Sequence, residues 1–165
     1  MDQITFTNRD SRTSLGVRLA TEEDLLELDR IDRALFGPMH YPFFVLRQLF
    51  DVHGQNLLVL ADKHSLYGYV LLGTNRASEL GWILGLGVDE PSRRSGHGRR
   101  LMLASLRQAA AMGLREVRLT VEPENAAAIQ LYRSLGFTAG EQRDECFGPG
   151  GDRLTMSATL PAATV

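Results

Sequence analysis

Apolar residues recur along the chain with two periods, and the switches between them predict its elements. Leu25, Leu28, Ile31 and Leu35 stand three or four residues apart, the spacing that holds apolar side chains on one face of a helix. Before them, Val17 to Ala20 reads as a short strand and Thr21-Glu22-Glu23-Asp24 as a capping box, while Gly37-Pro38 ends the run. Phe43, Phe44, Leu46 and Leu49, following Pro42, predict a second helix with its aromatic side chains in the core. Leu57 to Ala61 and Leu66 to Leu72 are apolar runs joined by Asp62-Lys63-His64-Ser65, the pattern of an antiparallel hairpin. Leu80 to Val88 reads as a further strand, whose Gly81, Gly85 and Gly87 weaken it but allow a ligand or another chain to approach its backbone.

The helical period returns from Gly96 to Met112, with Leu101, Ala104, Leu106, Ala109 and Ala110 facing a sheet and Gly113 supplying a left-handed cap. Val117, Leu119 and Val121 then alternate with polar residues as a strand, and Asn125 caps a helix that runs to Leu135 and closes at Gly136. Phe137 to Phe147 and Arg153 to Leu160 form a last pair of strands around Gly148-Pro149-Gly150-Gly151. The order β-α-α-β-β-β-α-β-α-β-β predicts an α/β (α+β) fold, a mixed sheet flanked by helices over residues 17–160. Residues 1–16 read as a polar arm and 161–165 as a tail.

Length and charge narrow the picture. A chain of 165 residues, 44% of them hydrophobic, suits one domain that buries roughly 70% of the surface its unfolded form exposes. A net charge of −2 provides no global field to draw nucleic acid or an anionic membrane, so neither is expected as a partner. Cys146 is the single cysteine and the four histidines lack zinc spacing, so no disulfide and no metal are expected. The opening residues lack a basic start followed by an apolar run, and no stretch approaches eighteen apolar residues; a cytoplasmic location is expected.

Two segments carry the chemistry. In the first, the strand ending at Val88 runs into Arg93-Arg94-Ser95-Gly96-His97-Gly98-Arg99-Arg100 and then directly into a helix. Amides at a helix start point at an anion, the helix dipole assists, and glycines leave no side chain between amide and phosphate. The spacing departs from a P-loop, which needs Gly-Lys-Ser or Gly-Lys-Thr, and from the dinucleotide fingerprint, which needs a third glycine. In the second segment, Asn125 caps a helix whose first turn, Ala126 to Ala128, is small enough for something to lie against. Tyr132 follows one turn later on a face shared with Ile129 and Leu135.

With both segments in place the chain resembles the GNAT superfamily of acetyl-CoA-dependent N-acetyltransferases. Its signature pairs V-x-x-x-x-R-x-x-G-x-G, here Val88, Arg93, Gly96 and Gly98, with N-x-x-A-I-x-L-Y-x-x-x-G-F, here Asn125, Ala128, Ile129, Leu131, Tyr132, Gly136 and Phe137. The resemblance implies a mostly antiparallel sheet of six to seven strands, splayed at the cofactor site and flanked by about four helices. It implies acetyl-CoA as cosubstrate: backbone at Leu86, Gly87 and Val88 pairs with the pantetheine arm, and residues Arg93, Arg94, Ser95, Gly96, His97, Gly98 and Arg99 hold the pyrophosphate. Asn125 then contacts pantetheine, and Tyr132 meets the departing thiolate. A thiol of reference pKa about 8.5 leaves as an anion, and a phenol near 10 can supply a proton or stabilise the charge.

Within the superfamily, Leu135-Gly136-Phe137, Arg143 to Phe147 and Asp152 to Met156 are similar to the ribosomal-protein and protein N-terminal acetyltransferases. Those enzymes carry a glutamate base five residues before the asparagine, and here Thr120 stands in that place. Glu122, two residues along the same strand face, and Glu79, at the entrance of the preceding strand, are the candidate bases. Deprotonating a lysine amine at pH 7 costs about 4 to 5 kcal/mol and an α-amine about 1 to 1.5, so a weak base favours the second. The expected partner is an amine acceptor, whether a protein N-terminus, a lysine or a small amine, on a monomer or homodimer. A polyamine or aminoglycoside acceptor would want an acidic cleft, to which Asp24, Glu27, Asp29 and Asp32 on the first helix could contribute, but they read first as a solvated charged face. The competing reading is a CoA-responsive regulatory module without turnover, which Tyr132 and Asn125 argue against and Thr120 argues for.

Overall fold

Each period in the sequence becomes an element, in the expected order. The computed structural model describes residues 14–162 and contains strands β1 (Gly16–Leu19), β2 (Leu57–Ala61), β3 (Leu66–Asn75), β4 (Leu80–Val88), β5 (Glu116–Val121), β6 (Thr138–Arg143) and β7 (Arg153–Thr159). Helices α1 (Leu25–Phe36), α2 (Phe43–His53), α3 (His97–Ala111) and α4 (Ala126–Ser134) connect them. Of the expected arm and tail, residues 1–13 and 163–165 lie outside the described residues.

The strands make one sheet in the order β1-β2-β3-β4-β5-β7-β6. Only β4 and β5 run parallel, because α3 carries the chain back across the sheet between them. Helices α1 and α2 cover one face through Leu25, Leu28, Ile31 and Leu46, which pack on Leu57, Val59, Tyr69 and Leu71. On the other face Leu101, Met102 and Ala109 of α3 and Tyr132 of α4 pack with Val70, Leu72, Val117, Leu119 and Met156. Full burial of a leucine contributes about 1.5 to 3 kcal/mol, so two apolar layers hold the helices to the sheet. Asp24 closes the entry to α1, accepting from the Thr21 amide at 2.8 Å and from its hydroxyl at 3.2 Å.

The sheet opens at its centre. Strand β4 pairs with β5 only from Leu80↔Glu116 to Ile83↔Leu119. Beyond that point Leu84 to Val88 keep β3 alone as neighbour, and Thr120 and Val121 keep β7 alone. The parting coincides with a bulge: Leu71 opposes Gly85 and Leu72 opposes Ile83, which leaves Leu84 as an extra residue on β4. An extra residue bends a strand and sharpens its twist, so the bulge turns β4 away from β5.

Four sequence expectations need correction. Phe43 and Phe44 are surface residues, Phe44 with 67% of its area exposed, because α2 turns Leu46 rather than its first turn into the core. The strand expected from Phe137 to Phe147 ends at Arg143, where turns take over and Glu145 adopts a φ of 50°. Asp32, read as part of a solvated face, is 1% exposed. The glycines of β4 make room for the protein itself: a Cβ at Gly85 would lie 3.1 Å from the Tyr69 ring, one at Gly87 2.8 Å from Leu35, and one at Gly81 3.0 Å from Leu72.

Candidate active site

At the end of β4 the Asp89 amide donates to the Tyr67 carbonyl at 2.8 Å, and a short turn from Glu90 to Ser92 brings the chain to Arg93. Arg94 and Gly96 then take φ values of 66° and 75°, and α3 begins at His97. Gly96 occupies the N-cap position, where no side chain accepts from the helix, and the first backbone bond of the turn is Arg100 to the Gly96 carbonyl at 3.0 Å. Among the described residues, the amides of residues 94–99 therefore meet no acceptor, and the positive end of the α3 dipole adds to them. Arg93, Arg94, Arg99 and Arg100 are exposed around this point. Arg99 reaches across to the Ser134 hydroxyl at 2.9 Å and ties the cradle to the end of α4.

Gly98 supplies the test of whether a phosphate-bearing group fits. Gly96 is a glycine for conformational reasons, since a positive φ is strained for other residues. Gly98 has no such reason, and a Cβ there would meet Leu131 and Val88 at ordinary contact distances of 3.4 and 3.8 Å. The fold accepts a side chain at Gly98, so its absence keeps space clear in front of the unpaired amides. A pyrophosphate suits that geometry and donor set. The Nδ1 atom of His97 is buried without a partner and its ring lies 6.1 Å from that of Tyr67, so the side chain turns inward rather than to solvent.

Across the opening, the Asn125 side-chain oxygen accepts from the Ala128 amide at 3.1 Å, which fixes the start of α4 and commits one half of the amide group. Tyr132, 8% exposed, packs its ring 5.9 Å from Phe137, and its hydroxyl has no hydrogen-bond partner among the described residues. Burial pushes this phenol up to about 12. Leu86, Gly87 and Val88 present the β4 edge that β5 has left.

The candidate bases are not brought to this centre equally. Glu122 follows β5 beside the opening, 63% exposed, with an oxygen 3.8 Å from the Arg153 guanidinium. Glu79 stands five residues before Leu84, roughly 16 Å of extended chain from the parting of β4 and β5, in a left-handed turn where its carbonyl accepts from Arg115. Its place at the far end of the strand removes it from the site.

Sequence reasoning missed Tyr69, and it named Asp32 only among the carboxylates of the first helix without its burial. Asp32 lies on the apolar stripe of α1, four residues beyond Leu28 and next to Ile31, and that position was the available signal. Its carboxylate accepts from the Tyr69 hydroxyl and, at 2.6 Å, from the Tyr41 amide. The Tyr41 hydroxyl in turn donates to the Leu84 carbonyl at 2.7 Å. Burial, with the Asp32 charge beside it, holds Tyr41 and Tyr69 above the ordinary phenol range.

Among the described residues no group of three His, Cys, Asp or Glu could hold a metal ion, and no described helix is long and apolar enough to cross a membrane.

Comparison with known proteins places this geometry. Residues 22–137, more than half of the chain, match the model of the Acetyltransferase (GNAT) family. A mycothiol acetyltransferase of Amycolatopsis mediterranei is 47% identical over 62 residues, which is 38% of this chain and 21% of that relative. The chain thus aligns with about a fifth of the relative's length. The ribosomal-protein-S18-alanine N-acetyltransferase of Escherichia coli superposes with a TM-score of 0.79 at 19% identity, covering 92% of this chain and 97% of the other. The yncA protein of Salmonella typhimurium, solved with its cofactor acetyl-CoA, gives 0.76 at 20% identity over 92% and 96%. Through the sequence match that spans both motifs, the chain belongs to the GNAT family of acetyltransferases, whose cosubstrate is acetyl-CoA.

Proposed function

We propose that the chain transfers an acetyl group from acetyl-CoA directly to a primary amine, with Tyr132 meeting the departing thiolate. The observation that carries this reading is the state of Tyr132: buried, unpartnered at its hydroxyl and shifted to about 12, the phenol keeps its proton throughout the physiological range. The β4 edge at Leu86 to Val88 and Asn125 would hold the pantetheine arm, and the amides of residues 94–99, with Arg93 beside them, the pyrophosphate. The acceptor nitrogen attacks the thioester carbonyl and the C–S bond breaks. Sulfur takes the bonding pair, and a proton leaves the nitrogen, giving an amide and a free thiol.

A phenol at about 12 is a weaker acid than a thiol at about 8.5, so outright proton delivery from Tyr132 is uphill by roughly 5 kcal/mol. Burial therefore favours a hydrogen bond that stabilises the developing thiolate, in a site where few waters compete for it. Thr120 cannot act as a base, Glu122 lies beside Arg153, and Glu79 lies at the far end of β4. This favours an acceptor whose amine loses its proton cheaply, such as an α-amine. The name of the Escherichia coli neighbour, a ribosomal-protein alanine acetyltransferase, supports a peptide α-amine; that of the Amycolatopsis relative, a mycothiol acetyltransferase, supports a non-protein acceptor.

Calorimetric titration with acetyl-CoA, followed by thiol release against N-terminal peptides, lysine peptides and small amines, tests the reading. Tight binding with release for one amine class is expected, and Tyr132→Phe should lower turnover about one hundredfold while acetyl-CoA affinity holds. Binding without release for any amine would favour the regulatory module, and absence of binding would overturn both.

A further inference from the structure

Three observations meet at Leu84. It is the extra residue of the β4 bulge, it is the first residue of β4 beyond the last pair with β5, and its carbonyl accepts from the Tyr41 hydroxyl at 2.7 Å. A carbonyl on a strand edge ordinarily pairs with the next strand, and an unpaired one is a standing invitation for that strand to close. Here a side chain from between α1 and α2 takes the place of the β5 amide.

Tyr41 is itself held from behind. Its backbone amide donates to Asp32 at 2.6 Å, and the second carboxylate oxygen of Asp32 accepts from Tyr69. Asp32 is 1% exposed and has no cationic partner among the described residues. A buried, unpaired carboxylate costs several kcal/mol unless every lone pair it presents does something, and an apolar residue on this face of α1 would pack without that cost. Tyr69, aimed by the same carboxylate, lies against β4, with its ring 3.1 Å from where a Cβ of Gly85 would stand and 2.9 Å from that of Gly87. Gly85 precedes, and Gly87 lies within, the segment expected to receive the pantetheine arm. One carboxylate thus orients two tyrosines, one on the bulge carbonyl and one under the strand that follows it.

We propose that Asp32, acting through Tyr41, is a positioning residue that pins the β4 bulge and so keeps the sheet open for the cofactor arm. The proposal rests on the acetyl-CoA reading above for its ligand, while the pin itself is a property of the apo chain. Closure of β4 onto β5 would remove the edge that Leu86 to Val88 present, and the pin opposes that closure with three hydrogen bonds reached from α1 and β3.

Tyr41→Phe deletes one oxygen and leaves the ring packing in place; Asp32→Asn removes the charge and one of the two acceptor positions. Amide hydrogen exchange over residues 84–88 and acetyl-CoA titration are measured on both variants, on the double variant and on the wild type, with melting curves as the control for folding. Expected are slower exchange in that segment, because edge amides gain partners on β5 once the pin is gone, and about a tenfold weaker acetyl-CoA affinity for Tyr41→Phe, with little change in Tm. The double variant should be no weaker than the worse single one, because both act on the same bond. Unchanged exchange and affinity in Tyr41→Phe would overturn the proposal; so would faster exchange, since the segment would then loosen rather than close, and so would slower exchange with unchanged affinity, since the cofactor arm would then not need the open edge. Should the wild type bind no acetyl-CoA, the functional reading fails, and the pin then stands or falls on exchange in Tyr41→Phe alone. If Asp32→Asn fails to fold, Tyr41→Phe carries the decision.

Discussion

The two faces of the sheet are built by different means. The face under α3 and α4 prepares its site with backbone: unpaired amides at a helix start, a glycine the fold does not require, and a cap that fixes α4. The face under α1 and α2 prepares its side of the opening with buried polar side chains drawn from distant parts of the chain, Asp32 with Tyr69 and Tyr41 with Leu84. A site made of backbone can be damaged without harm to stability, because its donors serve nothing inside the protein. A site hung on a buried carboxylate loses stability when that carboxylate goes, because Asp32 is the acceptor for two other groups.

Gly98→Glu attacks the first half of that contrast and carries the largest expected effect. Its Cβ meets Leu131 and Val88 at ordinary contact distances, so the domain should melt near the wild-type temperature. The added bulk and negative charge in front of the amides should weaken acetyl-CoA binding by about one hundredfold or more, read by calorimetric titration. Retained affinity would move the cofactor away from the cradle. An equal loss of Tm would mean that the cradle is structural after all, and the contrast between the faces would collapse.

Asp32→Ala probes the second half. Removal of the carboxylate leaves the Tyr69 hydroxyl and the Tyr41 amide without their acceptor in a site 1% exposed, and stability should fall by about 2 to 4 kcal/mol in urea unfolding. A cost below about 0.5 kcal/mol would show that water or a neighbouring group replaces the carboxylate easily, and the face would then be no more rigid than its opposite.

The same contrast explains what could be read from the chain. The cradle, the Asn125 cap, the Gly136 turn and Tyr132 are local: each needs only neighbours within a few residues, and spacing along the sequence displays them. The succession of helices and strands along the chain followed as well, because each is marked by a local period, while the place of β7 between β5 and β6 in the sheet had no local signal. The Asp32 network was not legible, since its bonds span 37 residues from Asp32 to Tyr69 and 43 from Tyr41 to Leu84. A carboxylate on an amphipathic helix also looks like any solvated charge until its angle to Leu28 and Ile31 is counted. Phe43 and Phe44 misled for the opposite reason: an apolar residue in the first turn of a helix satisfies the periodicity whether or not that turn faces the sheet. The glycines of β4 were read as room for a ligand or another chain, but the occupants of that room are side chains from β3, α1 and β5 that no local pattern names.

The smallest effect separates the faces by their phenols. Tyr132 is raised to about 12 by burial alone, whereas Tyr69 is raised by burial together with the Asp32 charge and hydrogen bond. In either case the folded chain holds the phenolic proton more tightly than the unfolded chain. For Tyr132, stability from this source is therefore complete below pH about 10 and is lost as the pH climbs toward about 12. For Tyr132 the loss reaches roughly 2 kcal/mol by pH about 11.5. Tyr132→Phe removes a hydroxyl with no partner among the described residues, so stability at neutral pH should change little while the alkaline fall shrinks by that amount. Urea unfolding at neutral pH and near pH 11.5, on wild type and variant, measures the difference. If both proteins lose stability equally on the way up, the phenol titrates alike in the folded and unfolded chains. Tyr132 would then stand in a hydrated pocket, its pKa would lie closer to that of a leaving thiol, and direct proton delivery would regain the advantage that burial has taken from it.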